Sequence, residues 1–300
     1  MRTDAPAGPV TKGLISALLC TAFLLVAGCT TVPPAQVAAF AKGVDSVKVQ
    51  LDTTFANINQ LAAEDEIDRA ATLPTLTEEN VGVLLKSEDI AKWDVAFASI
   101  GRYADSLSLL LAPERANDFS TAAQGLGTAL SKLDRDALPS AGVAAGFVEL
   151  GRLLIEAKAE TDALNAARKA DPGVQEIFSQ LASVIGESNQ DPGTLRATVR
   201  SHWLLRMGEE QAAFSEAAPG ARRATVVDFV DLRDKRDAQD LQLGALRQSL
   251  LDLGAAHAAL ARGSAIDLDT AIGRIQQEID VTQALNEHFK SLKKPKTEDQ

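Results

Sequence analysis

Cysteine is nearly missing from these 300 residues: there are two, Cys20 and Cys29, both near the start. Residues 30–300 can therefore form no disulfide, no thiolate nucleophile and no cysteine-based metal site. Whatever folds there is held by packing alone. Aromatic residues are also scarce, at 4% with one Tyr and two Trp. Abundant Ala and Leu in their place point to helices packed through aliphatic seams. No alternation of apolar and polar residues longer than four supports a strand. Positive charge is in the minority, 30 Lys and Arg against 41 Asp and Glu. An acidic surface is repelled by nucleic acid and by anionic lipid, so no nucleic-acid partner is expected.

Catalytic and metal-binding patterns are lacking too. The three histidines, His202, His257 and His288, fall in neither His-Glu-x-x-His nor Glu-x-x-His spacing, the arrangements a helical zinc or di-iron site uses. There is no Gly-x-Ser-x-Gly and no glycine-rich phosphate loop with lysine. Glu78-Glu79 and Glu209-Glu210 have no convergent partner in the sequence. These absences predict a protein that is not an enzyme, with no catalytic residue, no cofactor and no metal ligand.

The first 28 residues carry a pattern of their own. Arg2 and Lys12 precede an apolar run from Leu14 to Ala27 broken by Ser16 and Thr21. Such a run is short of the roughly 20 residues a membrane-spanning helix needs and has the layout of a secretory signal. It ends in Val26-Ala27-Gly28-Cys29, which resembles the lipobox of bacterial lipoproteins. The resemblance covers the signal only. It implies cleavage before Cys29, diacylglyceryl transfer to the Cys29 thiol, and N-acylation with chains such as palmitate. Several chains, at roughly 0.8 kcal/mol for each buried CH₂, hold a protein firmly to a membrane. Thr30, not Asp, follows Cys29, which by the same resemblance implies an outer-membrane anchor facing the periplasm. Loss of Arg2, Lys12 and Asp4 with the signal would move the net charge of −11 by one further negative unit.

After a short tether (29–35), the pattern predicts an all-α fold: one helical domain over 36–293, an elongated antiparallel bundle with coiled-coil-like long helices. The first, 34–71, carries Val37, Phe40, Val44, Val47, Leu51, Phe55, Ile58 and Leu61 at spacings of three and four, one continuous stripe. Residues 72–86 read as a connector. Shorter helices fill 87–217: one capped by Ser87, one after Ala112-Pro113-Glu114, one from Ser140 to about 170. Asp171-Pro172-Gly173 and Asp191-Pro192-Gly193 read as N-caps with proline in the first turn, starting helices 172–186 and 192–217. The last pair, 221–262 and 264–293, has heptad-like spacing with Leu243, Leu246, Leu250, Leu253, His257 and Leu260 on one arm and Leu268, Ile272, Ile275 and Ile279 on the other. Gly263 terminates the first arm, and Ser264 with Asp267 forms a capping box for the second. Residues 34–71 and 221–293 are expected to pack as a stalk, with the middle helices on it.

Some residues admit two readings. His257 lies on a seam, where a core or register-setting histidine is preferred over a ligand. Trp93, Trp203 and Tyr103 read as core, His202 as a neighbour of Trp203. The stretch Asp231–Asp240 has Leu232 as its one large apolar residue and either projects, hinges or docks a charged partner. Phe97-x-x-x-Gly101-Arg102 recurs as Phe147-x-x-x-Gly151-Arg152 without establishing a repeat. Lys290, Lys293, Lys294 and Lys296 suit a helix C-terminus before a disordered tail, 294–300, or a basic foot on anionic lipid. The expected function is a membrane-anchored envelope lipoprotein presenting helical surfaces to a protein partner as scaffold, adaptor or protective factor. The alternatives are a carrier or sensor with a lipid or small molecule between helices, and an enzyme built from carboxylates of different helices.

Overall fold

The computed structural model describes residues 34–71, 73–78, 82–110, 116–157 and 163–292, with the side chains of 116–119 and 289–292 left aside. The lipobox with Cys29, Glu79, the Ala112-Pro113-Glu114 break, and Lys293, Lys294 and Lys296 with the tail lie outside these residues, as does the side chain of Lys290.

Among the described residues there are eight α-helices and no strand: α1 Pro34–Ala70, α2 Ser87–Leu109, α3 Ala116–Ser131, α4 Ala141–Ala157, α5 Ala163–Ile185, α6 Leu195–Glu216, α7 Arg222–Arg262 and α8 Ala265–Leu292. The chain is an all-α helical bundle. None of the described helices is long and apolar enough to cross a membrane. The helices belong to one compact unit, Val32–Gln300.

The stripe on α1 does what its spacing dictates: its eight apolar side chains are each at most 2% exposed. At about 1.5–3 kcal/mol for each buried side chain, this face binds α1 to its neighbours. Those neighbours are α2, α7 and α8. Phe40 meets the His257 ring at 5.3 Å, while Asn57 donates to Gln242 at 2.8 Å, so α1 and α7 run antiparallel. The α7–α8 hairpin turns at Gly263, whose φ of +71° is the left-handed conformation that closes a helix. Its N–H reaches the Leu260 carbonyl, and Ser264 Oγ accepts from the Asp267 N–H. Arg274 on α8 holds Asp252 on α7 at 2.7 Å. The expected stalk of α1, α7 and α8 is therefore present.

The remaining helices lie on that stalk. Phe55 packs edge to face on Trp93 while Phe40 and Tyr103 meet the same His257 ring, so α2 runs antiparallel to α1. Chain reversals then carry α3 to α4 and α4 to α5. A Cβ on Gly151 would sit 2.6 Å from the Gly127 carbonyl oxygen, so α3 and α4 cross at backbone contact. Gly101, the counterpart of Gly151 in the Phe-x-x-x-Gly-Arg echo, has open space there, and the echo marks no repeat. α5 covers the lower half of α7, with Arg168 donating to the Ala261 carbonyl and Gln175 to that of Gly254. α6 continues in the same direction as α5 and covers the upper half, with Arg196 gripping Asp240 at 2.9 Å through both Nε and Nη2. At 1.5 Å per residue, the 41-residue α7 is about 60 Å long, and α5 and α6 share that length.

Several expected boundaries are overturned. The helix expected to Ala170 ends at Ala157, and the helix expected to start at Pro172 starts at Ala163, with Pro172 inside it. Asp171 is no N-cap, because its carboxylate is held by His257 and Gln175. The second Asp-Pro-Gly forms a turn: Asp191 accepts the Ser188 N–H, Gly193 has φ +78°, and Thr194 is the residue that caps α6. Ser87 is the first residue of α2, not its cap, and Lys86 precedes it without a side-chain bond. The outer bounds 71, 221 and 264 each move inward by one residue, and residue 293 lies outside the described residues. Asp231–Asp240 is no hinge: α7 passes through it unbroken and buries Leu232, Ala238 and Gln239.

Candidate functional site

Two polar side chains fall on the inward faces of helices at the upper end of the bundle, where α1 stops. Asp65 follows Ile58 and Leu61 on the α1 stripe, and Arg206 follows Val199 and Trp203 on α6. Both are buried, and Arg206 Nε donates to Asp65 Oδ2 at 2.6 Å. Arg206 also pairs with Glu209. Next to them Arg69 Nε holds Glu66 Oε2 at 2.9 Å. His202, one turn before Arg206, places Nε2 at 3.8 Å from Asp65 Oδ2. That nitrogen is buried and has no hydrogen-bond partner among the described residues. Burial holds the His202 imidazole below its ordinary value, against the opposing pull of Asp65 and Glu66. Asp65, Glu66 and His202 bring one ligand atom each within 4.8 Å of one another.

A cleft of about 480 Å³ opens beside this cluster. Six carboxylates line it (Asp65, Asp68, Glu209, Glu210, Asp228 and Asp231) against three cations, Arg69, Arg206 and Lys235. Burial, with the charges of Asp228 and Asp65, pushes the Glu210 carboxyl up in spite of Arg206. Convergence of acids from three helices is the arrangement an enzyme of cross-helix carboxylates requires. The three cations, two of them in direct bonds with Asp65, Glu66 and Glu209, make it equally an ion-pair network.

Above the cleft the α6–α7 hairpin carries a second, apolar groove of about 420 Å³ between Phe214, Thr225, Val226 and Phe229. Phe214 and Val226 in this groove, and Val227 and Val230 beside it on α7, are between 36% and 52% exposed. Arg222 lies over the Phe214 ring at 5.0 Å.

Other residues singled out in the sequence are distributed differently. Trp203 is fully buried and donates from Nε1 to Gln239 at 2.6 Å, a packing residue. Trp93 and Tyr103 are buried as well. His257 is a core histidine with two partners: Tyr103 Oη at 2.6 Å from Nε2 and Asp171 Oδ1 at 2.8 Å from Nδ1. His288 and Glu78 are exposed, and Glu209 and Glu210 line the cleft. Asp65, Glu66 and Arg206 were not singled out. Their signal is a charged residue standing where an apolar stripe continues, at three or four residues from its neighbours.

Compared with known proteins, the chain matches no family model, no curated protein and no solved structure at a significant level.

Proposed function

We propose that the chain is a lipoprotein of a bacterial envelope, anchored to the outer membrane through acyl chains on Cys29, and that its helical domain is a non-catalytic adaptor. The observation that carries the adaptor reading is the apolar tip of the α6–α7 hairpin. Phe214 and Val226 line its groove, and Val227 and Val230 are exposed beside them on α7. Contiguous exposed apolar surface rimmed by charge marks an interaction site. The neighbouring cleft holds six acids against three bases. The complementary partner is therefore a protein segment with an apolar face and a basic flank, such as an amphipathic helix. The anchor reading rests on Val26-Ala27-Gly28-Cys29 and the apolar run before it.

A carrier of lipid or another small molecule would need an enclosed apolar cavity between helices. The clefts described above are open, and so is one of about 250 Å³ beside Phe55, Trp93 and Val184. The groove at Phe214 is the place such a ligand would take, so the test separates the two readings.

Metabolic labelling with a clickable palmitate analogue is expected to mark the wild type and not Cys29→Ala; labelling of both would remove the anchor. A photo-cross-linking residue at Val226 in the native, lipidated protein is expected to yield one discrete protein adduct in intact envelopes. The same residue at Ile266, which is 80% exposed near the α7–α8 turn, should yield none. A lipid adduct at Val226 would favour the carrier. Identical adducts at both positions would refute docking at the tip.

A further inference from the structure

We infer that Asp65, Glu66 and His202 form a binding site for one divalent transition-metal ion of the zinc class, clamping α1 to α6 at the root of the α6–α7 hairpin. The inference is independent of the anchor and of the docking surface.

Geometry carries it first. The three ligand atoms lie within 4.8 Å of one another. A tetrahedral ion with bonds of about 2.0–2.1 Å holds its ligands about 3.4 Å apart. His202 Nε2 and Asp65 Oδ2 are already at 3.8 Å, and a side-chain rotation of Glu66 covers the remainder. Asp65 and Glu66 are neighbours on α1, and His202 comes from α6, so the ion would join two elements that are far apart in sequence.

The unpartnered nitrogen is the second observation. His202 Nε2 is buried without a hydrogen bond, a condition that destabilises a folded protein unless something else meets the lone pair. Charge is the third. Asp65 opens on the cleft that also holds Asp68, Glu209 and Glu210, while Arg69 pairs with Glu66 and Arg206 with Asp65 and Glu209.

The two guanidiniums do not block the site. Arg69 bonds Glu66 through Oε2, which leaves Oε1 for an ion, and Arg206 Nε uses one lone pair of Asp65 Oδ2, the oxygen that faces His202, which leaves the other. Hydrogen bonds of this kind orient metal-bound carboxylates from behind. Access is through a cleft of about 140 Å³ lined by Ala62, Glu66, Gly82 and His202. One imidazole with two carboxylates suits Zn²⁺, Co²⁺ or Ni²⁺ and not the all-oxygen preference of Mg²⁺ or Ca²⁺. Three protein ligands leave a fourth position for water.

The experiment uses the full-length protein in detergent, stripped with a chelator, in a Trp93→Phe background so that Trp203 alone reports. The Trp203 ring lies 4.9 Å from that of His202, within reach of quenching by a bound Co²⁺. Titration with Co²⁺ is expected to saturate at one equivalent in the micromolar range, with tetrahedral visible absorption that Zn²⁺ removes and Mg²⁺ does not. His202→Gln should weaken binding by at least about tenfold and abolish the quench, while His288→Gln should leave both unchanged. No saturable binding up to millimolar Co²⁺ or Zn²⁺ overturns the site. So does unchanged affinity in His202→Gln with a native circular-dichroism spectrum. Should that variant fail to fold, Glu66→Gln is judged by the same two criteria.

Discussion

At the scale of single residues, the lower core is organised by one hydrogen-bonded chain. Tyr103 from α2, His257 from α7 and Asp171 from α5 are joined in series at 2.6 and 2.8 Å. With the proton on Nδ1, the Tyr103 hydroxyl donates to Nε2 and the imidazole donates to Asp171, so both ring nitrogens are satisfied. Burial, with the Asp171 charge, drives the Tyr103 hydroxyl well above its ordinary value. Burial also pushes the Asp171 carboxyl up, but the bonds from His257 and Gln175 and the charge of Arg262 outweigh it and hold the group below the usual range. Tyr103→Phe removes the donor and strands a buried acceptor, and is expected to cost about 1–3 kcal/mol. His257→Leu strands the tyrosine hydroxyl instead. Because each single variant leaves the other partner unpaired, the double variant should cost less than the sum, by about 1–2 kcal/mol in a urea-unfolding cycle. Additive losses would show that the three residues do not act as a unit. A depressed carboxyl contributes stability that is present above the unfolded-state value of about 3.9 and is lost as pH falls through the folded-state value. The acid limb of the stability curve should accordingly flatten in His257→Leu.

Among elements, α5 shows where local rules give way. Asp171-Pro172-Gly173 has every mark of a helix start at Pro172, yet the helix begins nine residues earlier at Ala163. Pro172 forfeits a backbone hydrogen bond. The site is held by contacts from elsewhere: His257 on Asp171, and the backbone of Leu150 against Gly173. Long helices were legible because their evidence is local. Stripes spaced three and four apart on α1, α7 and α8, and a left-handed glycine after α7, place those ends to within one residue. The candidate site was not legible in the same way. Asp65 meets His202 and Arg206 only because α6 stacks on the end of α5 along α7, and no short-range pattern encodes that stacking. The same contrast yields a test. A Cβ at Gly173 would lie 2.8 Å from Leu150 Cα, backbone that cannot rotate aside. Although alanine has the higher helix propensity, Gly173→Ala is therefore expected to destabilise, by about 1–3 kcal/mol. Gly101→Ala, which meets nothing within 4 Å, should instead stabilise by about 0.5–1 kcal/mol. Thermal melts of the two variants check both signs, and a stabilised Gly173→Ala would mean that α4 and α5 can separate at little cost.

The whole molecule is unevenly supported along α7. Its lower two-thirds runs between α1, α5 and α8, where Leu243, Leu246, Leu250, Leu253 and Leu260 are at most 1% exposed. From Arg222 to Asp231 no residue is buried, and the first buried side chain is Leu232. One continuous helix thus has a packed end and an end held by α6 through Phe214, Thr225, Val226 and Phe229. Local opening free energies follow buried contacts. Amides of Val226–Val230 are therefore expected to exchange with solvent about a thousandfold faster than those of Leu243–Leu260, which open only with global unfolding. A partner seated on the tip must order this segment and pays the ordering entropy on binding. Its binding should slow exchange between Arg222 and Asp231 and leave the lower part of α7 unchanged. Hydrogen exchange read by mass spectrometry, with and without the partner trapped at Val226, measures both effects on one helix. Uniform protection along α7 in the unbound protein would mean that the tip is already rigid. Protection confined to the lower half after partner binding would place the interface on α1, α5 or α8 and remove the tip from the docking surface.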